Sequence, residues 1–83
     1  MITRQELDTT YQLDGQRHQA HTLIEQTEEH GAACYQAKIK DSPLHGTFGA
    51  WASSIPEALD FLNLAMQAKG ADEINFDMEN RAA

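Results

Sequence analysis

The sequence predicts a small α+β domain of two layers: an antiparallel sheet of three to five strands with one amphipathic helix on one face, in the order β-β-β-α-β. Three observations predict it. An Asp14-Gly15 turn separates two polar-apolar alternating runs; a second alternating stretch occupies Ala32 to Lys40; and a capped, periodic helix runs from Ser54 to Gly70.

The first thirty residues admit two readings. Asp14-Gly15 lies between Thr10-Tyr11-Gln12-Leu13 and Gln16-Arg17-His18, which is the chemistry of a two-residue hairpin turn. Strand from about Tyr11 to Gln26 follows, with Thr27-Glu28-Glu29-His30-Gly31 turning into the next strand. The competing reading is helical, because Ala20, Leu23, Ile24 and Thr27 also fall at helical spacing ahead of Gly31. Thr3-x-x-Glu6, with Ile2 and Leu7 as a staple, could open a short N-terminal helix. The hairpin turn favours strands.

Ala33, Tyr35, Ala37 and Ile39 alternate with Cys34, Gln36, Lys38 and Lys40, the pattern of a half-buried strand with one wet face. Asp41 to Gly46 has the composition of a loop. Thr47 to Ser53 is predicted as a further strand, with Phe48, Ala50 and Ala52 toward the helix and Trp51 on the opposite face. Gly49 within it implies a bulge or a close backbone approach.

The helix is predicted from Pro56 to about Lys69. Ser54 and Glu57 form a capping box, and Pro56 sits in the first turn, where its missing N–H costs nothing. Ala58, Leu59, Leu62, Ala65 and Met66 form the apolar stripe, widened by Phe61 and Leu64. Gly70 suits the left-handed position that ends a helix. Ala71 to Met78 alternates Ile74, Phe76 and Met78 with Glu73, Asn75 and Asp77, a final strand at an edge. The 83 residues fit one domain, residues 1–80, with 81–83 as a frayed tail.

Composition narrows the function. Thirteen acidic and six basic residues give a net charge of −7, which disfavours direct nucleic-acid binding through phosphates. The acidity reads first as a source of solubility and second as complementarity to a protein partner with a basic surface. No window is apolar for long enough to span a membrane, and the opening MITRQELD lacks a secretory pattern. Cys34 is the only cysteine, so an internal disulfide is impossible, and a reducing cytoplasmic setting is expected. Within an alternating strand it reads as a packing residue.

Four histidines, His18, His21, His30 and His45, lack metal-ligand spacing; as strand residues His18 and His21 point to opposite faces. No nucleophile motif or phosphate-cradling loop is present, so neither a cofactor nor a catalytic residue is assigned. The reading is a small protein–protein interaction module, an inhibitor or regulator of a larger nucleic-acid-handling protein. Glu25, Glu28, Glu29, Asp72, Glu73 and Trp51 are the partner-binding candidates. The alternative is a small ligand-binding domain or enzyme whose site forms across a dimer from His18, Cys34, Tyr35 and His45. The broad helix stripe and Trp51 both predict a homodimer.

Thr22 to Met66 resembles the HicB type of antitoxin domain. The residues that carry it are Thr22-Leu23-Ile24-Glu25-Gln26, the acidic turn Thr27 to Gly31, Tyr35 to Ile39, the Ser42 to Gly46 loop, Thr47 to Ser53, and Ser54-Ile55-Pro56-Glu57-Ala58-Leu59. The loop reads Ser-Pro-Leu-His-Gly where the family has a Pro-Leu-Pro-Gly character, and no DNA-binding segment follows Asn80. The resemblance implies the β-β-β-α-β fold and an inhibitory protein–protein role, and it leaves the family's DNA binding and autoregulation open.

Overall fold

The computed structural model describes residues 3–77, so Met78 and the predicted tail at 81–83 lie outside the described residues. Its elements are β1 (Thr3–Leu13), β2 (Gln16–Glu29), β3 (Ala32–Ile39), α1 (Ile55–Ala68) and β4 (Asp72–Asp77). The sheet is antiparallel and curled, in the order β3-β2-β1-β4, with the helix on one face. This is the predicted β-β-β-α-β fold.

The N-terminal segment is strand, which overturns the helix opening at Thr3. β1 pairs with β2 along its whole length, from Thr3 opposite Gln26 to Leu13 opposite Gln16. Leu7, Thr9 and Tyr11 face the core at period two while Glu6 and Asp8 face out, so strand pairing buries three side chains that a helix would scatter. Asp14 and Gly15 take φ of 53° and 77°, both left-handed, as a two-residue hairpin requires. His30 and Gly31, at 53° and 79°, repeat the device. The second turn is therefore these two residues alone. Glu28 and Glu29, expected in the turn, belong to the end of β2.

The second correction concerns Thr47 to Ser53, which is not a regular strand. It follows β3 through isolated bridges, Lys38 with Phe48 and Tyr35 with Ala52. Three steps along β3 match four along this segment, so one extra residue bulges out near Gly49-Ala50. The bulge places Phe48 on the same outer face as Trp51 instead of toward the helix. Thr47 points inward in its place, Ala52 faces inward as predicted, and Ala50, predicted on the same face, is exposed. Gly49 is buried under α1, where a side chain would meet the backbone of Phe61 and Leu62.

The helix is closed at both ends by its own sequence. Ser54, with φ −149° and ψ 161°, accepts the Glu57 N–H through its hydroxyl. The Glu57 carboxylate accepts from the N–H and hydroxyl of Ser53, one residue earlier than the reciprocal bond of a capping box. At the other end the Ala71 N–H donates to the Met66 carbonyl and the Gly70 N–H to that of Gln67, with Gly70 at φ 96°. That is a Schellman cap, and only a residue without Cβ enters such a φ freely.

The core lies between Leu7, Tyr11, Ala20, Ile24, Ala37 and Ile39 of the sheet and Ala58, Leu59, Leu62 and Met66 of the helix. Of its polar members, Thr9, Thr22 and Tyr11 find partners locally, while the buried Thr47 hydroxyl has none within hydrogen-bond reach among the described residues. Thr9 donates to the Leu7 carbonyl, which leaves Thr22 to donate to Thr9 across 2.6 Å. The Tyr11 hydroxyl sits 2.7 Å from Ser42 Oγ and accepts from the Leu44 N–H, pinning the loop after β3 beneath the sheet. Of the widened stripe, Phe61 packs at the core margin and Leu64 stays 62% exposed.

Candidate interaction surface

The face of the sheet away from α1 carries a ladder of charges across β1, β2 and β3, with the exposed Phe48 and Trp51 beside β3. Glu25 lies between Arg4 (3.3 Å) and Lys38 (3.5 Å), and Lys40 reaches Glu6 at 2.9 Å. The two Glu25 pairs join neighbouring strands, where opposite charges support pairing by a few tenths of a kcal/mol up to about 1 kcal/mol each, while Lys40–Glu6 reaches across β2. The Glu25 side chain is only 15% exposed, so its charge is engaged within the sheet.

His21 is the most structured polar residue of this face. Its ring Nδ1 lies 2.8 Å from Asp41 Oδ2, its backbone N–H donates to Asp41 Oδ1 at 2.8 Å, and Asp8 lies 3.6 Å from Nε2. The hydrogen bond to Asp41 raises the His21 pKa above the ordinary histidine value, helped by the charges of Asp41, Asp8 and Glu6 against a smaller cost of burial. The same bond lowers the Asp41 pKa. The arrangement ties the loop that begins at Asp41 back to β2. His18 lies on the opposite face, its ring 5.4 Å from that of Tyr11, as strand alternation requires.

The predicted partner-binding residues separate into two groups. Glu29 and Trp51 are together: with Thr27 and Cys34 they line an open hollow on the outer face. Glu28 is exposed beside them at the end of β2, on the helix side. Trp51 is 48% exposed and Phe48, on the same side, 61%. Asp72 and Glu73 belong to the far end of the molecule, where Asp72 pairs with Gln12 beside the first hairpin turn. About a dozen strand residues, roughly 40 Å of path, separate the two groups. Glu73 also meets Arg17 at 3.8 Å.

Phe48 was missed because strict alternation assigns it to the core side; the signal for the correct assignment is Gly49, whose bulge inverts the pattern. The residues of the ligand-binding alternative do not converge within one chain. Cys34, free and half-buried, is on the outer face, Tyr35 is on the helix face, and His45 is exposed on the loop. Among the described residues no group of three or more His, Cys, Asp or Glu is arranged to hold a metal ion. No described helix is long and apolar enough to cross a membrane. Comparison with family models, with curated proteins and with solved structures found no match.

Proposed function

We propose that this protein is an acidic interaction module of the cytoplasm that inhibits or regulates a larger nucleic-acid-handling protein, in the manner of an antitoxin or an anti-defence inhibitor. The observation that carries the reading is the pair of exposed aromatics, Trp51 and Phe48, on one face beside Glu29, in a chain of net charge −7. An aromatic centre with a charged rim is the usual anatomy of a protein–protein contact. Carboxylates presented to a basic groove occupy the place of phosphates and speed encounter. The resemblance to HicB antitoxins supports the same inhibitory role.

The decisive experiment captures partners from the native cell on the immobilised protein and on its Trp51→Ala and Glu29→Lys variants. Truncating Trp51 should remove about 2 kcal/mol, roughly 30-fold in affinity, from a true partner. Glu29→Lys should weaken binding at low salt. The wild-type interaction should itself weaken at about 0.5 M salt, where the Debye length is roughly 4 Å. A stoichiometric partner indifferent to both variants and to salt would refute the reading. A homodimer through Trp51 and Phe48 would bury the same aromatics, and sedimentation equilibrium over micromolar concentrations separates it from a monomer with a foreign partner.

A further inference from the structure

At the edge of the molecule away from Trp51, β4 is the last strand of the sheet. Among the described residues only β1 pairs with it, so its other backbone edge faces outward. The helix does not close over it, because α1 lies mainly along β3 and touches β4 lightly. Between them runs a groove of about 330 Å³ lined by Pro56, Leu59, Asp60, Ile74, Asn75 and Phe76. Phe76 pairs with Thr9, which places Phe76 and Ile74 on the helix side of the sheet, yet both remain only half-buried. An apolar groove beside an exposed strand edge is the geometry of strand addition, in which backbone bonds supply affinity and alternate side chains fill the groove.

The charge of the site identifies the kind of strand. Neither α1 (IPEALDFLNLAMQA) nor β4 (DEINFD) contains a lysine or arginine, while Glu57, Asp60, Asp72, Glu73 and Asp77 stand on the two elements; Arg17 of β2 reaches Glu73 at 3.8 Å, which leaves the edge acidic. A second copy fits poorly. The antiparallel register that keeps both helices on one face and sets Ile74 opposite Phe76 also sets Glu73 opposite Asp77 twice, and like charges directly opposite are destabilising. Glu73, at φ 47° and within the register shift against β1, further limits regular pairing to residues 74–77. A strand with apolar residues toward Ile74 and Phe76 and cations along this acidic edge fits these features.

We infer that the β4 edge and the α1–β4 groove receive an extended segment of the partner, with alternating basic and apolar residues, as a fifth strand. The inference rests on the reading above only for the partner's basic character; the surface is a different one.

The test is titration of the ¹⁵N-labelled full chain with an amidated Lys-Val alternating hexapeptide, followed by amide chemical shifts. Saturable shifts are expected in residues 72–77 and 57–60. They should vanish when alternate peptide amides are N-methylated in one of the two frames, and be absent with a Glu-Val peptide. Asp60→Lys, an exposed change that spares the core, and Ile74→Thr should each weaken binding about tenfold, the equivalent of about 1.4 kcal/mol. Shifts confined to the Trp51 face, indifference to N-methylation, or equal response to Glu-Val overturn the inference. So do β4 shifts that follow protein concentration without peptide, which would make a second copy the occupant. If a partner captured through Trp51 binds Asp60→Lys and Ile74→Thr undiminished, strand addition fails and the inhibitory reading stands. If no charge-dependent partner is captured at all, that reading fails by itself.

Discussion

Gly49→Ala is the substitution whose sign separates a glycine that is needed from one that is merely tolerated. A Cβ at position 49 would lie 2.6 Å from Leu62 N, 2.7 Å from Phe61 C and 3.0 Å from Leu62 Cα. Ordinary contacts between such atoms are about 3.5–4.0 Å, so one side must retreat by roughly 1 Å. All three obstacles are backbone atoms, and no rotamer change relieves them; the helix or the bulged segment has to move. A gap of that size forfeits about a quarter to a half of the attraction across it. Leu59, Leu62 and Met66 are buried from the helix side, each worth about 1.5–3 kcal/mol when fully buried. Losing part of that, within the usual range for overpacking, gives an expected cost of about 2–3 kcal/mol. A domain of this length has about 4–12 kcal/mol in total. The melting temperature should fall by roughly 10–20 °C. Urea unfolding followed by Trp51 fluorescence, two residues from the substitution, and by far-UV circular dichroism measures it directly. Gly49 is not among the glycines with positive φ, so no conformational penalty confuses the result. Were the contact absent, alanine would stabilise by about 0.4–1 kcal/mol through the unfolded chain. A Gly49→Ala protein as stable as the parent refutes the close approach.

Three other perturbations follow from the hydrogen bonds and charges. The raised His21 pKa contributes stability that is complete below the ordinary histidine value and is lost as pH rises through the raised one, while the lowered Asp41 pKa contributes stability lost as pH falls through its own value. Asp41→Asn should therefore reduce the urea midpoint more at about pH 5.5 than at about pH 8.5, and equal losses at both would show that the charge pairing adds nothing. Tyr11→Phe leaves Ser42 Oγ and the Leu44 N–H without their shared partner, and should cost about 1–2 kcal/mol in urea unfolding. Ser54→Ala removes the hydroxyl cap from the Glu57 N–H, an expected loss of about 1 kcal/mol read from the same curves, with Ser54→Gly closer to the parent.

The features that the sequence determined by itself are those whose physics is local. Asp14-Gly15 turns because those two residues accept left-handed angles cheaply. The helix starts at Ser54 and stops at Gly70 because a hydroxyl satisfies an N–H at one end and a missing Cβ permits the Schellman bonds at the other. Alternation from Ala33 to Ile39 names a face because successive strand residues point opposite ways. Tertiary structure decided what depends on partners distant in the chain. Leu23 and Ile24 fit a helix or a strand equally well until β1 lies alongside them over its full length. Phe48 belongs to the helix side by alternation and to the outer face once β3 forces an extra residue out at Gly49, beneath a helix that tolerates no side chain there. Of the candidate site, Trp51 and Glu29 are brought together by the bulge and the end of β2. Glu25 is drawn into ion pairs with Arg4 and Lys38, residues 21 and 13 positions away, and Asp72 and Glu73 are carried to the opposite end because β4 pairs with β1 rather than β3. Turn and cap energies are fixed within a few residues of chain, whereas strand order, bulge position and groove are set by which long-range pairing buries the most apolar surface.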